Sequence, residues 1–231
     1  IGHEVLLGLN LPKYQADLLR FSMSDGSMQS LPLMGGGQAW IQEIKVKPGG
    51  SSYFLAIRRF ERNRLTEDLF MEIDRQGNEL NRWVFKDEDH FLLSVSMLPE
   101  EDGLVVCGTF DSDRRRISAR EITNINQAGE AKGYYFIRFQ QNEPYNASFW
   151  LFDNFTNLVR NLPPDMVLRN TRSRSYRYRM AEPDLRITLQ FFAGQVQKSG
   201  DKYIFSAEAF RPQYRLETRM DYDFYGRLVP Y

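Results

Sequence analysis

The residues with the clearest capacity for chemistry form an arginine-rich stretch in the last third of the sequence. Its arginines and tyrosines are Arg169, Arg172, Arg174, Tyr176, Arg177, Tyr178 and Arg179. Guanidinium groups bind phosphate and carboxylate through paired hydrogen bonds, and tyrosine rings provide stacking surfaces. In an extended strand the even-numbered members share one face and the odd-numbered members share the other. The stretch is therefore a candidate ligand-binding surface.

Two interpretations of this stretch are open. The first is an anion site for phosphate, an acidic glycan or nucleic acid. The second is a solvated strand whose arginine stems cover apolar surface while the guanidinium groups pair with acids. Lysine plus arginine equals aspartate plus glutamate, 30 of each, and this neutral balance favours the second interpretation. Three further arginines at 114–116 allow the same two interpretations. If the two arginine clusters lie close together in the folded protein, the anion site is favoured.

Glu208 is the most unusual charged residue because it interrupts an apolar run, and Arg58 occupies the equivalent place in another run. Arg58 lies in the run 54–60 and Glu208 in the run 204–210, at the same place in each. A charge inside an otherwise apolar strand must be paired or exposed. One interpretation is that both are ligand-binding groups that line a central cavity. The other, favoured by the cost of burying a single charge, is a structural ion pair between neighbouring repeats.

Histidine and cysteine chemistry is sparse. His90 ends the acidic segment 86–90, where consecutive side chains splay apart, so a solvated loop is favoured over a metal site. The single Cys107 excludes an internal disulfide and predicts a small buried side chain. The sequence contains no glycine-rich phosphate loop, nucleophilic serine motif or calcium loop. We therefore predict no catalytic residue, no metal site and no cofactor.

Composition limits the class of protein. Aromatic residues make up 14% of the 231 positions, and such residues suit the half-buried surface of a β-sheet. No apolar run reaches the roughly 18 residues that a membrane-spanning helix needs. The neutral net charge argues against broad binding to nucleic acid or anionic lipid. A protein or glycan partner is compatible with these limits, and the oligomeric state is left open.

Four apolar runs resemble one another and indicate an internal repeat. They begin at Glu4, Phe54, Leu104 and Ile204. The last three each end on a phenylalanine, and Gly8 and Gly108 fall at the same place in the first and third runs. Nearly continuous apolar runs of this length are typical of strands buried on both faces.

Turn signals surround these runs. A Pro-Gly turn at 48–50 precedes the second run, and Asp-x-x-Gly segments at 74–77 and 223–226 follow the second and fourth. Aspartate accepts hydrogen bonds from its own turn, and glycine allows a positive φ. Each unit is thus predicted to contain four antiparallel strands, although the first lacks its opening strand. The predicted units of this single domain are 1–37, 38–90, 91–185 with insertions, and 186–231.

The third unit contains inserted chain, because the third and fourth runs begin twice as far apart as the second and third. In the segment 148–162, apolar residues recur at helical spacing, and two prolines follow at 163–164. This pattern predicts a helix. The helix either covers the edge of a sheet, which we favour, or forms a lid or a partner-docking element.

Four antiparallel strands per repeat of this period are the pattern of β-propeller blades. The units resemble those of bacterial extracytoplasmic propellers of the TolB-like, six-bladed type. This resemblance implies an all-β, propeller-like array of about four four-stranded antiparallel blades with one helical insertion. It also implies a secreted protein, located in the periplasm or at the cell surface. The Trp-Asp and kelch glycine motifs of other propeller families are absent.

These features support three hypotheses about function. The first, which we favour, is a non-enzymatic binding or scaffold module that holds a protein or a glycan. The second is a hydrolase of glycan or phosphate ligands, which needs two carboxylates about 5–10 Å apart in one pocket. The third is a structural subunit or a fragment of a larger assembly. Because a shared scaffold does not specify a reaction, fold resemblance does not decide among them.

Overall fold

A computed structural model of the chain is built almost entirely of antiparallel β-strands, as the sequence predicts. The structure describes residues 4–11, 15–31, 33, 38–61, 64–111, 131–141, 144–161, 167–169, 185–187, 190–210, 220–222 and 227–230. Within these ranges, no helix has the length and apolar character needed to cross a membrane.

The first two sheets are antiparallel meanders in which each strand pairs with the next one along the chain. The first sheet contains β1 (Glu4–Leu11), β2 (Gln15–Ser22) and β3 (Met28–Leu31). The second sheet contains β4 (Gln38–Val46), β5 (Ser52–Glu61), β6 (Arg64–Asp74) and β7 (Glu79–Phe85). Neighbours in sequence are therefore neighbours in each of these two sheets.

The third sheet opens with a strand that is broken in two. Its strands are β8 (Phe91–Leu92), β9 (Ser96–Pro99), β10 (Gly103–Asp111), β11 (Gly133–Gln140) and β12 (Asn146–Leu151). Both β8 and β9 pair with β10, and residues 93–95 interrupt the pairing. At this break the backbone N–H groups of Leu93 and Ser94 converge on the Thr109 carbonyl oxygen. The break leaves carbonyl groups that need other donors.

Three two-stranded sheets follow the third sheet. They are β13 (Val167–Arg169) with β14 (Leu185–Ile187), β15 (Gln190–Ser199) with β16 (Lys202–Phe210), and β17 (Met220–Tyr222) with β18 (Leu228–Pro230). We refer to β15 and β16 as the fourth sheet.

The prediction of a helix over 148–162 is wrong for residues 148–151, which lie in a strand. Residues 146–151 form β12, which pairs with β11 so that Phe149 lies opposite Tyr135. A turn of 3₁₀ helix at Phe152–Asn154 and the six-residue helix α1 (Thr156–Asn161) follow it. The Phe149 ring meets the Phe110 ring edge to face, with centroids 5.1 Å apart. Tertiary packing of aromatic side chains on a sheet thus outweighs the helical spacing.

Apolar side chains join the four sheets into a face-to-face stack in chain order. Leu18 and Leu31 of the first sheet pack against Leu55 and Met71 of the second. Phe54 and Phe70, on the opposite face of the second sheet, pack against Val106, Ile137 and Phe139 of the third. Val105 and Cys107, on the far face of the third sheet, pack against Val196 and Phe205 of the fourth. The second and third sheets are consequently covered on both faces.

All four apolar runs form strands, but only two of them are buried on both faces. The second and third runs lie in β5 and β10, whose successive residues are almost all buried. The first and fourth runs lie in β1 and β16, where residues with exposed side chains alternate with partly covered ones. The reason is position, since β1 and β16 belong to the sheets at the two ends of the stack.

The Asp-x-x-Gly turn predicted at 74–77 is confirmed. Gly77 has a φ of 89°, which only glycine adopts readily, and its N–H donates to the Asp74 carbonyl oxygen. The Asp74 carboxylate accepts the backbone N–H groups of Gln76 and Asn78, both at 2.8 Å. The Asn78 side-chain amide also donates to this carboxylate at 2.8 Å, and together with the backbone hydrogen bonds it holds the pKa of Asp74 below its ordinary value. The equivalent turn at 223–226 lies outside the described residues.

One type of hydrogen bond recurs between successive sheets. In each case a side-chain oxygen of one sheet accepts a backbone N–H from the opening strand of the next. Asn10 accepts from Ile41 at 2.8 Å, Glu43 from Met97 at 2.6 Å, and Ser96 from Val196 at 3.2 Å. These three links satisfy N–H groups on strands that lie at the edge of their sheets.

Candidate functional site

Arg58 lies in the interior, where its partner is Asp68. Arg58 on β5 is directly opposite Asp68 on β6, and its Nε donates to the Asp68 Oδ1 atom at 3.1 Å. Both side chains are 4% exposed. Gln42 Nε2 donates to the same carboxylate oxygen at 3.0 Å. Burial raises the pKa of Asp68, while the Arg58 guanidinium acts in the opposite direction.

The other end of Arg58 reaches into the break of the third sheet. Its Nη2 atom donates to the Leu92 carbonyl oxygen and, at 3.1 Å, to the Leu93 carbonyl oxygen. The Tyr135 hydroxyl donates to the Ser94 carbonyl oxygen at 2.8 Å. The carbonyls of Leu92, Leu93 and Ser94 thus each have a side-chain donor, and the Arg58–Asp68 pair joins the second sheet to the third. This contact geometry describes a structural role for Arg58.

Glu208, the second residue predicted on similar grounds, lies elsewhere. It is exposed on β16, where it pairs across the fourth sheet with Phe192. The structure does not bring Arg58 and Glu208 together, because the guanidinium of Arg58 makes its contacts within the second and third sheets. The ion pair that the sequence suggested is instead formed by Arg58 and Asp68.

The arginine-rich stretch falls outside the described residues. This applies to Arg172, Arg174, Tyr176, Arg177, Tyr178 and Arg179. It applies equally to the preceding run 114–116, whereas the backbone of Arg169 is described as the last residue of β13. The predicted anion site therefore stays a prediction.

Two buried carboxylates that the sequence did not single out bridge strands of the sheets. Glu72 on β6 accepts from Lys47 Nζ at 3.0 Å, Ser52 Oγ at 2.5 Å and Asn81 Nδ2 at 2.6 Å. Burial acts to raise the pKa of Glu72, but these hydrogen bonds together outweigh it and hold the pKa below its ordinary value.

The Glu100 carboxylate links the third and fourth sheets through hydrogen bonds. It accepts from Lys198 Nζ at 2.6 Å and from the Tyr203 hydroxyl at 2.8 Å, and lies 3.2 Å from Arg138 Nη2. Burial acts to raise the pKa of Glu100, and the hydrogen bonds from Lys198 and Tyr203 outweigh it. Because Lys198 and Tyr203 follow Glu100 by about 100 positions, no local motif signals this cluster.

His90 packs against aromatic rings. Its ring stacks on Phe149 at a centroid distance of 3.9 Å and meets the Phe110 ring edge to face. Its Nδ1 atom lies 3.0 Å from the Asp87 carboxylate, which also accepts the backbone N–H groups of Asp89 and His90. Within the described part of the chain, no three histidine, cysteine or acidic residues lie close enough to hold a metal ion.

The free thiol of Cys107 is buried between the third and fourth sheets. Burial raises its pKa to about 12, so almost none of it is thiolate at neutral pH. We expect the native protein not to react with a thiol reagent at pH 8 and to release one equivalent of reactive thiol in denaturant. Fast native labelling, measured by absorbance, would contradict this packing, and a variant Ser24→Cys at an exposed turn provides a reactive control.

The outer face of the first sheet carries a row of exposed apolar side chains. Alternate residues of β1 point to this face and are Val5, Leu7, Leu9 and Leu11, exposed to 40%, 45%, 38% and 37% respectively. Across the sheet, Val5 is opposite Phe21, and Phe21 is opposite Met28, which is 67% exposed. The row thus continues over all three strands. We refer to this surface as the leucine face.

Comparisons with known proteins give little beyond this geometry. No family model matches the sequence, and no curated protein matches it. Among solved structures, the fold is similar to the crystal structure of a subtype N11 neuraminidase-like protein from a flat-faced bat isolate of Peru. That similarity has a TM-score of 0.37 and 10% identity over 60% of this chain. The aligned part spans 36% of that protein.

Proposed function

We propose that the chain is a non-enzymatic binding or scaffold module that contacts a protein partner through the leucine face. The observation that carries the proposal is the row of exposed apolar side chains on β1, continued by Met28 on β3. Contiguous apolar surface of this kind marks contact sites in soluble proteins. A sheet face built of alternating leucines is suited to packing against another sheet or an amphipathic helix rather than to holding a polar glycan.

The polar groups support a binding module over a hydrolase. A hydrolytic site needs two carboxylates that face one pocket. Asp68, Glu72 and Glu100 each accept hydrogen bonds that join strands or sheets, so these carboxylates are occupied by structural partners. Glu208 lies on an exposed sheet surface. No specific contact among the described residues favours the hydrolase hypothesis.

The propeller-like arrangement is part of the same proposal. The second sheet is a four-stranded meander, and the sheets stack through their faces in chain order, which is how blades pack in a propeller. A location outside the cytoplasm is the setting that we propose for such a scaffold.

Site-specific photo-crosslinking in the cells that produce the protein tests the proposed function. Leu7, on the leucine face, is replaced by p-benzoylphenylalanine, and the adducts are identified by mass spectrometry after irradiation. We expect one predominant adduct of defined mass. The matched control is the same replacement at Leu80, a 52% exposed leucine on β7. The proposal fails if position 7 gives no adduct or the same adducts as position 80.

A further inference from the structure

The junction between the third and fourth sheets is joined by a different kind of polar contact from the other two junctions. In those, the side chains that cross between sheets bind backbone groups: Asn10 binds the backbone of Ile41, and Arg58 binds carbonyls at the break of the third sheet. Between the third and fourth sheets, the Glu100 carboxylate instead lies 2.6 Å from the Lys198 ammonium. Of the ion pairs whose two members are both described, this one alone connects two sheets.

The carboxylate of Glu100 has donors on both sides of this junction. The side chain is 8% exposed. Lys198 and Tyr203 of the fourth sheet donate to its Oε1 atom, and Arg138 of the third sheet lies 3.2 Å from its Oε2 atom. Two cations therefore share one negative charge. If Glu100 lost that charge, Lys198 and Arg138 would remain around the same point without a counter-charge, and their mutual repulsion would oppose the packing of the two sheets.

Apolar packing at this junction is modest among the side chains that the structure describes. Its buried core consists of Val105, Cys107 and Val196. The core between the second and third sheets is larger and contains several buried aromatic rings, including Phe54 and Phe70. The polar contacts of Glu100 consequently contribute a larger share of the third–fourth junction. Parts of a protein with few buried apolar contacts open at a lower free energy than the whole molecule unfolds.

We propose that the fourth sheet is a unit that opens separately, and that the negative charge of Glu100 keeps it closed on the third sheet. When this charge is removed, the fourth sheet separates and uncovers the apolar far face of the third sheet. This inference does not depend on the leucine face, and the tests below do not involve it.

Acid removes the charge in the native sequence. Burial acts to raise the pKa of Glu100, but the hydrogen bonds from Lys198 and Tyr203 hold it below its ordinary value. A lowered pKa in the closed form means that the carboxylate stabilises this form fully above the ordinary pKa of glutamate. The contribution is lost as the pH falls through the lowered pKa. Over this range Lys198 and Arg138 stay cationic and Tyr203 stays neutral, so Glu100 is the member of the cluster that changes charge.

Cys107 measures the opening because it lies in this junction and is the single thiol of the chain. The purified full chain is labelled at pH 7 with 4,4′-dithiodipyridine, which reaches a buried thiol only from an open state. Glu100→Gln keeps the shape of the side chain and removes its charge. We expect it to be labelled at least about tenfold faster than the wild type, because hydrogen bonds to a charged group are lost. Circular dichroism should show that the variant remains folded.

Glu72→Gln is the matched control. Glu72 is also a buried carboxylate with three side-chain donors, but its partners belong to the second sheet and its borders. We expect this variant to lower the free energy of unfolding and to leave the labelling rate of Cys107 unchanged. If it accelerates labelling as much as Glu100→Gln does, Cys107 reacts through global unfolding and the proposal is overturned. A folded Glu100→Gln variant with the wild-type rate overturns it as well.

A second pair of variants acts from the fourth sheet and covers the case in which Glu100→Gln does not fold. Lys198→Met removes the ammonium that faces Glu100. Lys202→Met removes the same charge from the other face of the same sheet, where the side chain is exposed. We expect faster labelling of Cys107 in Lys198→Met and the wild-type rate in Lys202→Met. Equal rates in the two variants contradict the role of the ion pair.

The dependence of labelling on pH tests the role of acid. The rate at Cys107 is divided by the rate at an exposed thiol, provided by a variant with Cys107→Ala and Ser24→Cys, which corrects for the effect of pH on the reagent. We expect this ratio to rise between neutral pH and about pH 4 in the wild type, and to rise less in Glu100→Gln, which lacks the titrating group. The same rise in both proteins would show that another group controls the opening, and the proposal would be overturned.

Discussion

Replacing Asp68 by alanine is expected to lower the free energy of unfolding by about 3–5 kcal/mol, because it leaves the Arg58 guanidinium buried without a counter-charge. The loss includes the hydrogen bond from Gln42, which ends on the same carboxylate oxygen. Arg58 would retain its contacts with the carbonyls of residues 92 and 93, but these carry no compensating charge. Urea denaturation followed by circular dichroism and tryptophan fluorescence measures the change.

The neighbouring ion pair provides the control for this prediction. Arg59 and Glu67 lie one position away on the same two strands and form an ion pair at 3.1 Å, but their side chains are 33% and 25% exposed. Glu67→Ala is expected to cost no more than about 1 kcal/mol, since an exposed pair is weakened by solvent. If Asp68→Ala and Glu67→Ala lower the free energy of unfolding equally, burial does not make the Arg58–Asp68 pair more important for stability than the exposed pair.

Gly108→Ala is expected to destabilise the protein by about 3 kcal/mol, although it adds only a methyl group. A Cβ atom at position 108 would lie 2.8 Å from the Ser94 carbonyl carbon and 2.9 Å from Tyr135 Cε1. The backbone at the break of the third sheet would have to move, which disturbs the carbonyls that Arg58 and Tyr135 bind. The measurement is the free energy of unfolding, with the thermal midpoint as a second readout.

Gly8 is the natural control because it occupies the same place in its own apolar run. The three atoms nearest to a Cβ atom there would be side-chain methyl carbons of Ile41 and Ile44, the closest at 3.0 Å. These can shift by a few tenths of an ångström, and alanine also restricts the unfolded chain. We expect Gly8→Ala to change stability by less than about 1 kcal/mol. A larger loss for Gly8→Ala than for Gly108→Ala would contradict the close packing at the break.

The elements that the sequence predicted well are those with strong local signals. The four apolar runs form strands, and the turn at Asp74 has the predicted geometry. Which strands are buried on both faces was not predictable, because β1 and β10 have similar patterns and differ only in where their sheets lie in the stack. The segment 148–162 carries a helical pattern and a row of aromatic residues, and only the packing of Phe149 on the third sheet decides between them.

The partners of the charged residues at the candidate site were also not predicted from the sequence. The sequence marked Arg58 as a candidate, but its favoured interpretation placed the charge partner in another repeat and not on the next strand. A local signal for the correct partner was present, since two arginines at 58–59 and two acids at 67–68 flank the connection between β5 and β6, and a hairpin brings such residues together. The Glu100 cluster had no such signal, because its contacts form only when the third and fourth sheets pack.

The partners of the three hydrogen bonds between successive sheets occur in a fixed order along the chain. In each of the three links, the accepting side chain precedes the donating N–H in the chain: Asn10 before Ile41, Glu43 before Met97, and Ser96 before Val196. During synthesis from the amino terminus, every acceptor leaves the ribosome before the strand that will donate to it. Each new opening strand therefore emerges onto a sheet that already carries the side chain it needs, and translation itself imposes a direction on assembly.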